Sequence, residues 1–321
     1  MTTQDNNNDS SAAPKVDYVF TRDFLDNNRI NLMHTLWSKI FGYNVHPKIP
    51  TNRPGLRVAD VGTGTGIWLF DVRELVDPSA RLEGFDISFD AAPPTETLPS
   101  NVSFRHWDVN HDLPEDLVGV FDLVHVRFFA FVLMNDQVQP VVKRLFNMLK
   151  PGGYLQWGDP DFQSVRFDKT KPEIKAEAMA EMFKLLSVQD PRFKPTWVAN
   201  LPGIFTTAGF VETEVDKNDC PPHMAFMLHE CGLMIHELIY RKTKNETMQK
   251  ELGRLLPLAV EETRNGVYTT AQTTNCANEK SGAASVHTSK VLPKRENTLF
   301  GTGLRRNGLA LSQKDDIFDD R

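Results

Sequence analysis

The chain has 321 residues, 40% hydrophobic and 24% charged, ordinary for a globular protein and long enough for one large domain or two small ones. A formal net charge of -6 argues against a nucleic-acid enzyme, because phosphate binding needs a basic face. No apolar run is long enough to span a bilayer, and the polar start MTTQDNNNDSSAAPK lacks the apolar stretch of a secretory signal, so neither membrane nor export is expected.

In chain order, residues 1–15 read as disordered. Residues 17–41 read as a helix, with Ile30, Met33, Trp37 and Ile40 in one apolar stripe; 16–50 is expected to form a helical cap. The proline-rich HPKIPTNRPG breaks the chain. A strand and helix alternation follows: LRVADVG, a helix over 67–76, ARLEGFDIS, VSFRHWDV, FDLVHVRFF, a helix in NDQVQPVVKRLFNMLK capped by Asn135 or Asp136, and YLQWGD after a PGG turn. Such alternation predicts an α/β fold, a Rossmann-like, mostly parallel seven-stranded sheet with helices on both faces. The methyl-rich stripe Ile174, Met179, Met182, Phe183 and Leu186 marks a helical insertion near 165–195. TWVANLPGIFTTAGF and VETEVDK resume helix and strand, and two further helices fill 222–264. GVYTTAQTTN reads as the last strand, which places the main domain at 51–278 and a disordered tail at 279–321.

The stretch VADVGTGTGIWLFDV is a strand, a glycine turn and a helix start. Gly62 and Gly64 fit a dinucleotide fingerprint, but its last glycine would fall on Ile67, and Gly66 stands one residue early. The pattern G-x-G-x-G after Asp60 suits a nucleoside ligand without phosphates. Asp86, twenty residues after Gly66 and ending the second strand, can accept from both ribose hydroxyls. Asp108, after the third strand and followed by Val109, can accept from an adenine amine. Other acids and bases at strand ends are His125, Arg127, Asp159 and Asp161. His125 is equally a packed strand histidine, Arg127 an ion-pair partner for Asp159, and Asp159 and Asp161 simple helix caps.

In order and spacing these motifs, with FDLVHVR and LKPGGYLQW, resemble the class I S-adenosylmethionine-dependent methyltransferases over residues 56–157. NNRINLMHTLW and LQW look more narrowly like the fungal methyltransferases of secondary-metabolite clusters, a group similar to the methyltransferase-like regulators of the same clusters. The resemblance implies S-adenosylmethionine as cofactor, held by Asp60, Gly62, Gly64, Gly66, Asp86, Asp108 and Val109. It also implies a small-molecule acceptor with an O, N or S atom to methylate; the alternative is a regulator without small-molecule turnover. Relatives carry an acid directly after LQW, where this chain has Gly158 before Asp159. Candidate catalytic residues are His125, which titrates near neutrality, and Asp159. His34 is expected to point toward the cofactor or acceptor. The cluster His223, His229, Cys231 and His236 lacks metal-ligand spacing, so no metal is expected. Cys220, Cys231 and Cys276, an odd number without a secretion signal, read as reduced thiols in the cytosol. The oligomeric state is not legible in these residues.

Overall fold

The computed structural model describes residues 19–282. Residues 1–15 and all but the first few of 279–321, where disorder is expected, lie outside the described residues.

A seven-stranded sheet runs in the order β3-β2-β1-β4-β5-β9-β7. Its strands are β1 (Arg57–Val61), β2 (Arg81–Asp86), β3 (Val102–His106), β4 (Phe121–Arg127), β5 (Leu149–Pro160), β7 (Phe210–Asp219) and β9 (Gln272–Lys280). The pairings from β3 across to β5 are parallel, and β9 is antiparallel to both β5 and β7. The expected mostly parallel α/β fold is thus present. The centre of β4 reads FDLVHVR because both faces of a parallel strand are covered. One face packs on α3 (Val138–Met148) and α5 (Leu201–Ala208) through Val124, Leu145, Leu155, Trp157 and Phe205. The other packs Val58, Leu82 and Leu123 against Trp68 and Leu69 of α2 (Ile67–Arg73).

Helix α1 (Phe24–Phe41) starts at Asp23, whose side chain accepts from the backbone N–H of Leu25 and Asp26. It stops at Gly42 in the left-handed region. Its Leu36 packs with Cys220, Met224, Ala225 and Cys231. A separate cap core joins α4 (Glu177–Gln189), α6 (Pro222–Lys242) and α7 (Glu246–Arg264), with Met182, Leu238, Leu252 and Ala259 buried at its centre.

Local details differ from the sequence reading. Helix α2 ends at Arg73, three residues early, in turns closed by the Glu74 and Leu75 N–H groups. Neither Asn135 nor Asp136 caps α3: Gln137 holds that position, and Asn135 Oδ1 accepts from Thr196 N–H at 3.3 Å. The apparent last strand splits at Ala271. Its first part, β8 (Val267–Thr270), pairs with β6 (Arg166–Lys169) as a small ribbon, and its second part enters the main sheet as β9. Strand β9 also continues to Lys280, two residues past the expected boundary. There the Lys280 ammonium donates to the backbone oxygens of Phe146 and Leu149, 3.0 and 2.7 Å away. An inward bond of that kind leaves no trace in hydropathy.

Candidate functional site

The C-terminal ends of β1 to β5 open on a cavity of about 230 Å³, where an open parallel sheet is expected to bind ligands. Gly62, Gly64, Asp86, Asp108 and Val109 line one side. Gly62 and Gly64 have φ of 73° and 54°, which side chains rarely adopt. A Cβ on Gly62 would enter the Phe129 ring. The Asp86 carboxylate ties the turn to β2: Oδ2 accepts from Gly64 N–H at 2.9 Å, and Oδ1 from Ile87 and Ser88 N–H at 2.7 and 3.2 Å. Burial raises its pKa, opposed by those same N–H groups. Each carboxylate oxygen takes about two hydrogen bonds, so Asp86 Oδ2 still has room for one donor from the cavity. Asp108 Oδ1 accepts from Asn110 N–H at 2.9 Å, and its other oxygen lies 3.1 Å from His111.

Two of the expected cofactor residues are placed behind this wall. Gly66 is the left-handed N-cap of α2, and a Cβ there would press on Phe104 and Phe70. Asp60 is 3% exposed and accepts from His125 Nδ1–H at 2.7 Å. Both support the loop from beneath.

The catalytic candidates are corrected by their surroundings. His125 is 2% exposed, stacked on Trp68 at 3.7 Å and engaged with Asp60, so it is a packed strand histidine outside the cavity lining. Burial holds its pKa down at about 4. Asp159 touches the cavity but is 0% exposed. Its oxygens accept from Phe129 N–H, Ala130 N–H and Trp157 Nε1–H at 3.2, 2.9 and 2.7 Å. Burial pushes its pKa up to about 7 against those donors. Its visible work is to fasten the turn after β4. Arg127 does not hydrogen-bond Asp159; its Nη2 donates to His34 Nδ1 at 2.6 Å. Because a guanidinium only donates, His34 must be protonated at Nε2, which donates to Asp71 Oδ2 at 2.8 Å. His34 therefore latches α1 to α2 and β4 and does not face the cavity. Burial lowers the pKa of His34 and brings Arg127 down to about 10. Asp161 caps the short turn Phe162–Ser164. His229 and His236 belong to the cap: His229 bridges Thr263 and Thr269, and His236 Nδ1–H donates to the Gly232 carbonyl. Among the described residues no cluster suits a metal ion, and all three cysteines are free and buried.

Helix α1 roofs the cavity, with Asp26, Arg29, Ile30 and Met33 on its lining. Ile30 stands 3.8 Å from where a Gly64 Cβ would be, and Asn31 accepts from the Thr65 hydroxyl at 2.7 Å. Phe128 takes a left-handed φ of 63°, costly for a bulky residue. That conformation sets its ring edge-on to Trp37 at 5.1 Å, between the main cavity and a smaller apolar chamber of about 90 Å³. Asp26, Arg29 and Phe128 were not legible as site residues. Charged residues three apart on a helix carry no pocket signal by themselves, and Phe128 is one phenylalanine among several.

Residues 58–153 match the family described as methyltransferase domain. The chain is 34% identical over 155 residues to N-methyltransferase verN of Clonostachys rogersoniana, covering 48% of this chain and 54% of that protein. It is 33% identical over 133 residues to N-methyltransferase tcpN of Claviceps purpurea, covering 41% and 47%. It is also 28% identical over 171 residues to the secondary metabolism regulator laeA of Gibberella zeae, covering 52% of each. The chain thus spans about half the length of the curated relatives it matches. Residues 58–153 thus match a methyltransferase domain, and the chain is similar to fungal N-methyltransferases and to a regulator of secondary metabolism.

Proposed function

We propose that this protein transfers a methyl group from S-adenosylmethionine to a nitrogen atom of a small molecule of secondary metabolism, working in the cytosol. The observation that carries the reading is the glycine turn with Asp86 and Asp108 opening on one roofed cavity. Asp86 receives a ribose hydroxyl on the remaining lone pair of Oδ2, and Asp108 receives the adenine amine. Ile87 and Val109 give the base apolar walls. Gly62 and Gly64 leave the backbone bare for the methionine end. When bound, the cofactor supplies a sulfonium methyl, already electrophilic.

The chain's own task is to hold the acceptor in line and to exclude water, which α1 and the Phe128–Met134 segment do by roofing the strand ends. The residues that roof the strand ends would hold an unprotonated amine in line, with its lone pair toward that methyl. The product ammonium then yields its proton to water. Neither His125 nor Asp159 is needed as a base. Nitrogen is favoured as the acceptor atom because the curated relatives verN and tcpN are N-methyltransferases.

A second reading, a regulator that keeps the cofactor site without small-molecule turnover, is favoured by the likeness to laeA. Incubation with methyl-labelled S-adenosylmethionine and extracts of a producing fungus separates the two. Label in extractable small molecules supports the enzyme; cofactor uptake with no extractable label supports the regulator.

A further inference from the structure

The first turns of α1 carry a charged pair that the cofactor reading leaves unused. Arg29 Nε and Nη2 both donate to Asp26 Oδ1, at 3.0 and 2.6 Å. Asp26 Oδ2 receives nothing from the described residues, although Asp26 is 1% exposed and lines the main cavity. A buried carboxylate oxygen without a donor is costly, and native structures rarely keep one without use. Arg29 has no freedom to serve it. Its Nη1 lies 3.2 Å from Met33 Sδ, and its guanidinium sits 4.6 Å over the Phe20 ring.

The position of this oxygen matters. Met33, next but one turn along the same face, and Ile235 of α6 line both the main cavity and the apolar chamber. Arg29, only 5% exposed, acts electrostatically on Cys231 in the wall of that chamber. The rest of the wall includes Trp37, Phe162, Phe183 and Leu228, and its polar contributors are threonines of β8 and β9. Asp26, Arg29, Ile30 and Met33, spaced i, i+3, i+4 and i+7, share the face of α1 that lines the main cavity, with Ile30 beside Gly64 and Met33 reaching the chamber.

We infer that Asp26 is the acceptor-binding residue: Oδ2 takes an N–H of an amine whose apolar, side-chain-sized body enters the chamber behind Met33 and Ile235. This rests on the methyl-transfer reading. The amine is held there as its ammonium, which an alcohol cannot match; once it has given one proton to water, a remaining N–H stays on the oxygen and the lone pair is free for the cavity. Hydrophobic walls select the body, and the carboxylate selects a nitrogen donor over a carboxylate or ether.

The test uses the full chain saturated with S-adenosylhomocysteine, with 2-phenylethylamine and 2-phenylethanol as probes in calorimetric titrations. The wild type is expected to bind the amine at least tenfold more tightly than the alcohol, and Asp26→Asn to abolish that preference. Asp26→Asn should leave the affinities for S-adenosylhomocysteine and for methylthioadenosine, which lacks the amino-acid end, within twofold. Ile235→Trp, which fills the mouth, should lose both probes and keep the nucleosides; it serves if Asp26→Asn does not fold. Equal affinity of the wild type for amine and alcohol overturns the proposal, as does probe binding unchanged in Ile235→Trp. A tenfold loss of S-adenosylhomocysteine with methylthioadenosine spared also overturns it, since Oδ2 would then hold the cofactor's ammonium. Failure of the wild type to take up S-adenosylhomocysteine overturns the methyl-transfer reading itself, whereas uptake without amine preference overturns this proposal alone.

Discussion

The two sides of the cavity are built by different physics. The sheet side is made of backbone: glycines in left-handed conformations, N–H groups aimed at Asp86, and strand ends fixed by parallel pairing. The cap side is made of side chains from α1, the turn after β4 and α6, brought together over long stretches of chain. A backbone site tolerates little substitution, because its positions are fixed by sheet pairing. A side-chain site varies readily, yet fails when its supports move. Cofactor binding should therefore respond to changes on the sheet side, and acceptor binding to changes in the cap.

The sharpest break is expected from Gly62→Val. A left-handed φ of 73° and the Phe129 ring both oppose a side chain there, so calorimetry should detect no S-adenosylmethionine binding. Binding at wild-type affinity would reduce the glycine pattern to a plain turn.

Trp37→Ala tests the other side. Trp37 is buried against Phe41, Phe128 and the backbone at Gly158, and losing it should cost about 3–5 kcal/mol in denaturant unfolding. Cofactor affinity in the folded variant should stay within a few-fold of wild type. A loss of affinity as large as that of Gly62→Val would show that the two sides are not separable.

Asp86→Ala should weaken cofactor binding by about 1.5–3 kcal/mol, roughly ten- to a hundredfold, taking one charge-assisted bond at its usual worth. It also frees the Gly64, Ile87 and Ser88 N–H groups, so circular dichroism should accompany the titration. A folded variant with unchanged affinity would remove the ribose role.

The smallest effect is in the acid response of stability. Burial lowers His125, under the glycine loop, and His229 and His236, in the cap, from 6.5 to about 4. A folded value below the unfolded one gives stability that is complete above pH 6.5 and lost as pH falls toward 4. The loss is about 1.4 kcal/mol per pH unit for each histidine. Asp159 opposes this, because burial raises it from 3.8 to about 7, so acidification over that range relieves it. Unfolding free energies measured between pH 7 and 5 should therefore fall, and His125→Asn should flatten the slope by about one histidine's share. An unchanged slope would mean that His125 is not held neutral.

Legibility followed the same division. Gly62, Gly64, Asp86 and Asp108 were readable because each is required by a turn or a strand end within a short span of chain. The central strands were readable because parallel strands covered on both faces are largely apolar; their order in the sheet came from the structure. His125 and Asp159 were readable as strand-end residues, but not which way they turn. That choice was made by partners far along the chain: Asp60 and Trp68 for the histidine, and the Phe129 and Ala130 N–H groups for the acid. The same holds for His34, committed to Asp71 and Arg127.

Local pattern, then, determined the strands, the glycine turn and the acids beside it, since periodicity and turn preference depend on neighbours in sequence. Tertiary packing decided the rest. It split GVYTTAQTTN between two sheets, carried β9 through Lys280, and set Phe128 between two chambers. It also left one oxygen of Asp26, a residue of the cavity lining, without a donor among the described residues, because only the folded chain determines which buried polar atoms find partners.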